Sequence, residues 1–288
     1  MSEGTEKKTA FVFAGGGSLG SIQVGMLQAL AANGITADMV VGSSVGALNA
    51  AYYAGAPSAA GVERLAKIWL GMRRRDIFPV SWRTMLTFLG RRDFLVPADG
   101  IRRLAETLLP YRDLQDAKLP VHVVATDLLS GEPVVLSTGS AAQALVASTA
   151  FPAAFAPVML DHRWLADGAI ASNTPVSVAV EQGARRLIVL PTGYACALQR
   201  PPRGAIGCAL HALTLLIARQ LLHELSRLPP DVEFHVAPPL CPLLISPYDF
   251  SATADLISRS AASTQAWIAD GGLAWRGIPT EMTARKHA

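Results

Sequence analysis

The chain has 288 residues, of which 51% are hydrophobic and 16% charged, so it can bury a large core within a single domain. Its 25 basic and 22 acidic residues leave a net charge of +3, too small to indicate a nucleic-acid-binding protein. The three cysteines, Cys196, Cys208 and Cys241, have no paired spacing, which predicts neither a disulfide framework nor a zinc site and favours a reducing compartment.

The two ends of the chain are predicted to lie outside the folded domain. Residues 1–8 are polar, are expected to be disordered and lack the apolar core of a signal peptide, whereas 273–288 form a tail. One domain is predicted over 9–272. Its uncharged runs are broken by glycine or proline, or are shorter than the roughly 20 apolar residues that span a bilayer. We therefore expect a cytoplasmic protein without a transmembrane helix, with peripheral membrane attachment left open.

The first predicted strand, residues 9–14, ends at a glycine-rich loop, Gly15-Gly16-Gly17-Ser18-Leu19-Gly20, and a helix follows. The loop matches the Gly-x-Gly-x-x-Gly pattern of a dinucleotide site at its first, third and sixth residues. No acidic residue ends the second strand, however, where it would bind the ribose. We favour the alternative, in which backbone N–H groups at the helix N-terminus stabilise a developing oxyanion.

The second predicted strand begins at Met39 and ends in a sharp turn with Ser44 at its tip, followed by a helix over 47–54. Gly42 and Gly46 flank this serine in the Gly-x-Ser-x-Gly pattern of a nucleophile elbow. Larger side chains at these two positions would collide with the strand and the helix. A glycine-rich turn with a capping serine is the plainer alternative. The pattern predicts Ser44 as a nucleophile.

A basic and aromatic segment follows a helix predicted over 61–72. Residues 64–92 contain eight arginines or lysines, among them Arg73, Arg74 and Arg75, interleaved with four aromatic residues. Such a segment could lie on an anionic membrane surface or form a lid, over about 73–96, above an apolar groove. An ordinary solvated loop with packed aromatic side chains is the alternative.

The rest of the chain alternates predicted strands and helices. The strands are predicted over 120–126, 133–137, 158–160, 163–165, 186–190 and 232–236. The helices are predicted over 99–109, 139–148, 176–182, 206–228 and 252–270, with Pro175 at a first helical position. This alternation predicts an α/β sheet covered by helices on both faces.

A serine nucleophile needs a proton acceptor, and the six histidines are poor candidates. They fall in the long helix, in strands, on a hairpin turn and in the tail, at His211, His223, His122, His235, His162 and His287. Asp167, followed by Gly168 and Ala169, is predicted to expose its carboxylate at a tight turn, although an ordinary Asp-Gly turn is the alternative. Together the glycine loop, Ser44 and Asp167 offer the donors, nucleophile and base of acyl transfer.

These three blocks make the chain resemble the bacterial branch of the patatin-like phospholipase family, from Phe11 to about Gly272. The resemblance implies a three-layer α/β/α sandwich with a mainly parallel central sheet. It implies a catalytic dyad of Ser44 as nucleophile and Asp167 as proton acceptor, without histidine. The oxyanion hole would be formed by Gly15, Gly16, Gly17 and Val45, and the supporting motif residues are Gly20, Gly42, Gly46, Gly168 and Ala169.

The resemblance also implies a substrate and a set of partners. We expect hydrolysis of acyl esters of phospholipids or other lipids at a lipid or membrane surface, with no cofactor, no metal and no nucleic acid. One departure is Leu19, because many family members carry Arg or Lys at this position. A short-chain ester or thioester hydrolase and a catalytically silent scaffold remain alternatives.

Overall fold

The computed structural model describes residues 7–77, 99–152, 154–193, 202, 204–241, 243 and 245–275. The predicted disordered N-terminus and the predicted tail lie mostly outside these residues. The basic and aromatic segment is described only as far as residue 77, so the predicted lid lies largely outside them as well.

Strands and helices alternate along the described chain. The strands are β1 (Thr9–Phe13), β2 (Met39–Ser43), β3 (Val121–Asp127), β4 (Pro133–Leu136), β5 (Val158–Leu160), β6 (Arg163–Asp167), β7 (Arg186–Leu190) and β8 (Glu233–Val236). The helices are α1 (Gly20–Ala32), α2 (Val45–Gly55), α3 (Ala59–Gly71), α4 (Arg74–Ile77), α5 (Asp99–Leu108), α6 (Ala141–Ser148), α7 (Ala169–Ser172), α8 (Val176–Glu181), α9 (Ala205–Ser226) and α10 (Thr253–Ala269). The predicted elements are present, and their ends differ by a residue or two.

The described strands form one sheet in the order β5-β6-β3-β2-β1-β7-β8, with β4 also paired to β3. The pairings from β3 through β2, β1 and β7 to β8 are parallel. The pairings of β3 with β4, of β3 with β6 and of β5 with β6 are antiparallel. The sheet is therefore parallel at its centre, as predicted, with an antiparallel extension at one side.

Strands β2 and β6 lie end to end along the same edge of β3. β4 occupies the other edge, because it pairs with residues 123–126 of β3, which overlap the β2 and β6 pairings. Ser43 at the end of β2 is opposite Val124, and Asp167 at the end of β6 is opposite Ala125. The two strand ends therefore meet beside β3, although they are far apart in the sequence.

Helices cover both faces of the sheet and divide the core in two. Alternate residues of a strand point to opposite faces, so Phe11 and Phe13 of β1 enter one core while Ala10 and Val12 enter the other. The first core contains buried side chains of α1, α2, α3 and α10. The second contains side chains of α8 and α9. This arrangement confirms the three-layer α/β/α fold.

Two local predictions need correction. Pro175 is the N-cap residue of α8, one position before the predicted first helical position, and it makes no side-chain cap. Cys241 is disulfide-bonded, although Cys208 is a free thiol. Sequence spacing did not indicate this bond because spacing does not show which distant cysteines a fold brings within bonding distance.

Candidate active site

Ser44 lies at the junction of β2 and α2 with an unusual backbone conformation. Its φ of 54° and ψ of −129° place a non-glycine residue in a sparsely populated region. The flanking glycines are required by contact: a Cβ on Gly42 would lie 2.5 Å from the Gly46 carbonyl oxygen, and one on Gly46 would lie 2.4 Å from the Phe13 carbonyl oxygen. The tight turn inferred from Gly-x-Ser-x-Gly is present for the steric reason predicted.

The Ser44 hydroxyl donates to the carboxylate of Asp167. The Oγ to Oδ2 distance is 2.7 Å, and the Ala169 N–H donates to the other oxygen, Oδ1, at 2.8 Å. Asp167 is only 1% exposed, so the prediction of an exposed carboxylate at a turn is wrong. The residue ends β6 rather than following it, because β3 is long enough to pair with β6 beyond the end of β2. Gly168 is the tight position, since a Cβ there would lie 2.1 Å from the Val124 carbonyl oxygen.

Burial changes the acidity of this carboxyl group. Loss of hydration raises the pKa of Asp167 from 3.8 to about 6, while the hydrogen bonds from Ser44 and Ala169 act in the opposite direction. A carboxylate with a pKa near 6 is a stronger base than an ordinary aspartate and remains ionised at neutral pH.

The glycine loop packs against Ser44 and presents free amides. A Cβ on Gly15 would lie 3.1 Å from the Ser44 Cβ. Among the described residues, no protein group accepts a hydrogen bond from the N–H groups of Gly16, Gly17 and Val45. The Gly15 N–H, in contrast, donates to the Asn173 carbonyl at 2.9 Å. The predicted donor set is therefore corrected at Gly15, whose amide is already used inside the protein.

Sequence reasoning assigned no role to three side chains that hold this arrangement. Ser148 accepts the Ser44 N–H at 2.9 Å and donates its hydroxyl to the Val124 carbonyl at 2.6 Å. Thr192 donates to the Gly15 carbonyl at 2.5 Å. Asn173 packs its side-chain oxygen against Gly15, 2.6 Å from where a Cβ would lie. Thr192 carried a usable signal, because it follows a buried parallel strand beside β1 at the edge where ligands bind in α/β sheets.

A buried network of polar side chains holds the strand ends next to the glycine loop. Gln23 donates to the carbonyls of Ala14 and Leu190, at the ends of β1 and β7. Asn49 donates to the Gln23 side-chain oxygen and accepts from the indole N–H of Trp69 at 2.9 Å. The network links α1, α2 and α3 to the strand end from which the loop departs.

A cavity of about 420 Å³ opens beside Ser44. Polar groups surround its reactive end, where it is lined by Gly15, Gly16, Gly17, Ser44, Asp167, Asn173 and Thr192. Away from Ser44 the lining is apolar, with side chains of α3, α5 and α6 and Phe151 and Phe155. Leu19 also lines the cavity, with an uncharged side chain where the resemblance implies Arg or Lys in many family members. The cavity thus joins a polar reaction centre to a hydrocarbon-like compartment.

The histidines take no part in the Ser44 contacts of the described chain. His122 is buried in β3 beside Ser137, and burial lowers its pKa to about 4. His235 is buried in β8, and His223 contacts Arg227 on α9. His211 lines the cavity but makes no hydrogen bond with the Ser44 and Asp167 pair. Within the described ranges, no group of three histidine, cysteine or acidic residues could hold a metal ion.

Comparison with known protein families agrees with this geometry. The family model described as patatin-like phospholipase matches residues 11–180, which contain the end of β1, the glycine loop, Ser44 and Asp167. The chain belongs to the patatin-like phospholipase family.

Curated relatives of this patatin-like chain include much longer proteins. It is 29% identical over 194 residues to mouse patatin-like phospholipase domain-containing protein 7, an alignment covering 66% of this chain and 14% of the relative. It is 32% identical over 179 residues to an uncharacterized NTE family protein of Mycobacterium bovis, covering 59% of this chain and 45% of that protein. The chain therefore spans less than half the length of these relatives.

Among solved structures, human GIVD cytosolic phospholipase A2 is similar to this chain. The TM-score is 0.56 at 14% sequence identity, over 99% of this chain and 61% of the human one. That enzyme was solved in complex with a methyl gamma-linolenyl fluorophosphonate inhibitor. At this identity the likeness shows a shared fold.

Among helices of the described residues, none is long and apolar enough to cross a bilayer.

Proposed function

We propose that the protein hydrolyses acyl ester bonds of lipids, with Ser44 as nucleophile and Asp167 as proton acceptor. The observation that carries this proposal is the 2.7 Å hydrogen bond from the Ser44 hydroxyl to a buried carboxylate, at the polar end of an apolar cavity. Family membership and the apolar lining of the cavity away from Ser44 support a lipid substrate.

In the first half of the reaction, the Ser44 Oγ attacks the ester carbonyl carbon while its proton passes to Asp167 Oδ2. The electron pair of the C=O bond moves to the oxygen, and the N–H groups of Gly16, Gly17 and Val45 donate to this oxyanion. The intermediate collapses, the bond to the alcohol oxygen breaks, and Asp167 returns the proton to the leaving alkoxide. The products of this half are an alcohol and an acyl group bound to Ser44.

In the second half, water attacks the acyl carbon as Asp167 accepts one of its protons. The bond between the acyl carbon and Ser44 Oγ then breaks, and the proton returns to the serine, which releases a carboxylic acid. The Ala169 N–H holds Asp167 in place through Oδ1, so Oδ2 remains directed at the proton it must accept. A pKa near 6 allows the carboxylate to accept and release this proton near neutral pH.

Labelling with a fluorophosphonate tests the nucleophile directly. Ser44 Oγ should displace fluoride from phosphorus, so the parent protein gains the mass of one adduct and Ser44→Ala gains none. Ser130→Ala, at an exposed turn, should be labelled like the parent. No adduct on the folded parent, or an adduct that persists in Ser44→Ala, would contradict the proposal. A series of esters of increasing acyl length then separates a lipid hydrolase from a short-chain ester or thioester hydrolase.

A further inference from the structure

Helix α9 contacts the segment after Asp167 through two side chains one helical turn apart, Gln220 and Glu224. The Gln220 amide nitrogen donates to the Ala171 carbonyl, and its oxygen accepts the Asn173 N–H at 3.3 Å. A carbonyl requires a donor and an N–H requires an acceptor, so these partners fix the orientation of the amide. The Gln220 side chain therefore forms hydrogen bonds with the backbone on both sides of Ser172.

Glu224 holds the same segment from the next turn of α9. One carboxylate oxygen accepts the Ser172 hydroxyl at 3.0 Å. The other accepts both the hydroxyl and the N–H of Ser177, at 3.0 and 3.3 Å. Burial raises the pKa of Glu224, and these three donors act to lower it. The partly buried Glu224 carboxylate thus accepts hydrogen bonds from one short segment of the chain, through two hydroxyl groups and one backbone N–H.

The segment held in this way carries the contact that fixes the glycine loop. Asn173 accepts the Gly15 N–H through its carbonyl at 2.9 Å, and its side-chain oxygen lies against the Gly15 Cα. Gly15 precedes the two free amides of Gly16 and Gly17. A shift of Asn173 is therefore passed directly to the groups that face the reacting carbonyl.

We propose that Gln220 and Glu224 are positioning residues, which hold Asn173 so that the amides of Gly16 and Gly17 point at the developing oxyanion. The proposal rests on the proposed function for its catalytic consequence. Both residues act through Asn173 and do not touch the substrate. Substituting them should raise the free energy of the transition state and leave substrate binding nearly unchanged, since the acyl chain is held elsewhere in the cavity.

Variants at the two positions separate this role from ordinary helix packing. Gln220→Glu keeps the acceptor for the Asn173 N–H but replaces the donor with a second acceptor opposite the Ala171 carbonyl. Glu224→Ala removes every acceptor. Glu224→Gln is the conservative rescue, because its oxygen can still accept from Ser177 while its amide nitrogen donates to the Ser172 hydroxyl, which can also accept.

Leu221→Ala is the matched control. Leu221 lies on the same helix between the two positions, is 5% exposed and packs in the second core, and its hydrocarbon side chain has no group that could form a hydrogen bond with the segment. This variant loosens α9 and lowers the melting temperature while both polar side chains are retained. It should leave kcat close to that of the parent.

Amide hydrogen exchange of a peptide spanning residues 13–20 provides a readout that does not depend on turnover. We expect the Gly15 amide to lose protection in Gln220→Glu and Glu224→Ala, and to keep it in Glu224→Gln and Leu221→Ala. Unchanged protection in the first two variants would overturn the proposal. If Gln220→Glu does not fold, Gln220→Met takes its place.

Hydrolysis of a soluble short-chain aryl ester provides the catalytic readout. We expect kcat to fall roughly 10- to 100-fold in Gln220→Glu and Glu224→Ala with KM nearly unchanged, and to recover in Glu224→Gln. An equal fall in Leu221→Ala, or an unchanged kcat despite lost protection, would overturn the positioning role. If the parent itself hydrolyses no ester, the proposed function fails, whereas the exchange comparison still decides whether α9 holds Gly15.

Discussion

Asp167 combines burial with a hydrogen bond to the proposed nucleophile, and this combination determines how the site should respond to pH. The base must be ionised to accept the Ser44 proton, and its pKa is about 6. We therefore expect kcat/KM to rise with pH through about 6 and to level off above it. A pH series with a soluble ester measures this limb.

His211 also lines the cavity, and it takes no part in the proposed proton transfer. His211→Gln should therefore show the same limb as the parent. A limb that disappears in His211→Gln would assign the proton transfer to histidine and contradict the dyad.

The same burial has a cost in stability. The folded pKa of about 6 lies above the usual 3.8, so ionising Asp167 disfavours the fold above pH 6 by on the order of 3 kcal/mol, and the cost is absent below pH 3.8. In Asp167→Asn the side-chain oxygen can still accept the Ala169 N–H, and the amide nitrogen can donate to the Ser44 hydroxyl, without the buried charge. We expect this variant to be inactive and to have a higher free energy of unfolding than the parent at pH 8, with the two values converging toward pH 4.

Urea unfolding at the two pH values measures this difference. Asp270→Asn, an exposed aspartate at the end of α10, is the control and should change little at either pH. An Asp167→Asn protein that is less stable than the parent at pH 8 would show that the carboxylate is better accommodated than its burial indicates.

For single residues, the sequence indicated which side chains to consider for the site, but it did not indicate their burial or their hydrogen-bond partners. Ser44 and Asp167 were predicted because the glycines beside them are required by local geometry, which a motif records. The burial of Asp167 and the use of the Gly15 amide by Asn173 were not found, because each depends on a partner brought close only by the fold. The hydrogen bonds of Ser148 were not predicted for the same reason.

At the scale of elements, α5 forms one wall of the apolar part of the cavity. Ile101, Leu104, Ala105 and Leu108 recur at helical spacing and all line it. The length of acyl chain that fits should therefore depend on side-chain volume along this helix. The sequence predicted a helix over 99–109, whereas the cavity that α5 lines together with α3 and α6 depends on how the fold brings these helices together.

Leu104→Trp should shorten the cavity. We expect kcat/KM for long acyl esters to fall roughly tenfold or more, while short esters are hydrolysed as by the parent, because the reaction centre is unchanged. A chain-length series for both proteins measures the effect. Glu106→Gln, an exposed substitution on the same helix, is the control. An equal loss for short and long esters would indicate damage to the fold rather than a shorter cavity.

At the scale of the whole molecule, strand order was beyond prediction from the sequence. Alternating elements predicted a sheet with helices on both faces, and the structure has one. That β6 would continue the line of β2 along β3 was not predicted, because pairing between distant strands is decided by which surfaces can be buried together. This arrangement nevertheless brings Ser44 and Asp167 into contact.

The net charge of +3 is small, so attraction to an anionic membrane would have to come from a local cluster. Arg73, Arg74 and Arg75 are exposed at the start of α4, next to the cavity-lining Met72 and Ile77. Replacing all three by glutamine in a Ser44→Ala background should weaken binding to anionic vesicles at low salt, by up to roughly 1 kcal/mol per charge. Vesicle co-sedimentation measures this.

A second triple variant with the same charge loss provides the comparison. Exposed arginines lie on α9 (Arg219), directly after it (Arg227) and on α10 (Arg259), and their replacement by glutamine should affect binding less. Equal losses from the two triple variants would mean that only the overall charge matters. Unchanged binding in the first variant would identify the α4 arginines as an ordinary solvated surface.

Trp69 belongs to the polar network near the glycine loop, and its fluorescence should respond to what occupies the cavity. Its indole is 3% exposed, donates to Asn49, stacks on Phe250 and forms part of the cavity wall. Indole emission shifts toward shorter wavelengths when its surroundings become less polar. A hydrocarbon chain entering the cavity would replace a polar medium beside this ring, so the fluorescence of Trp69 should report occupancy before any bond is broken.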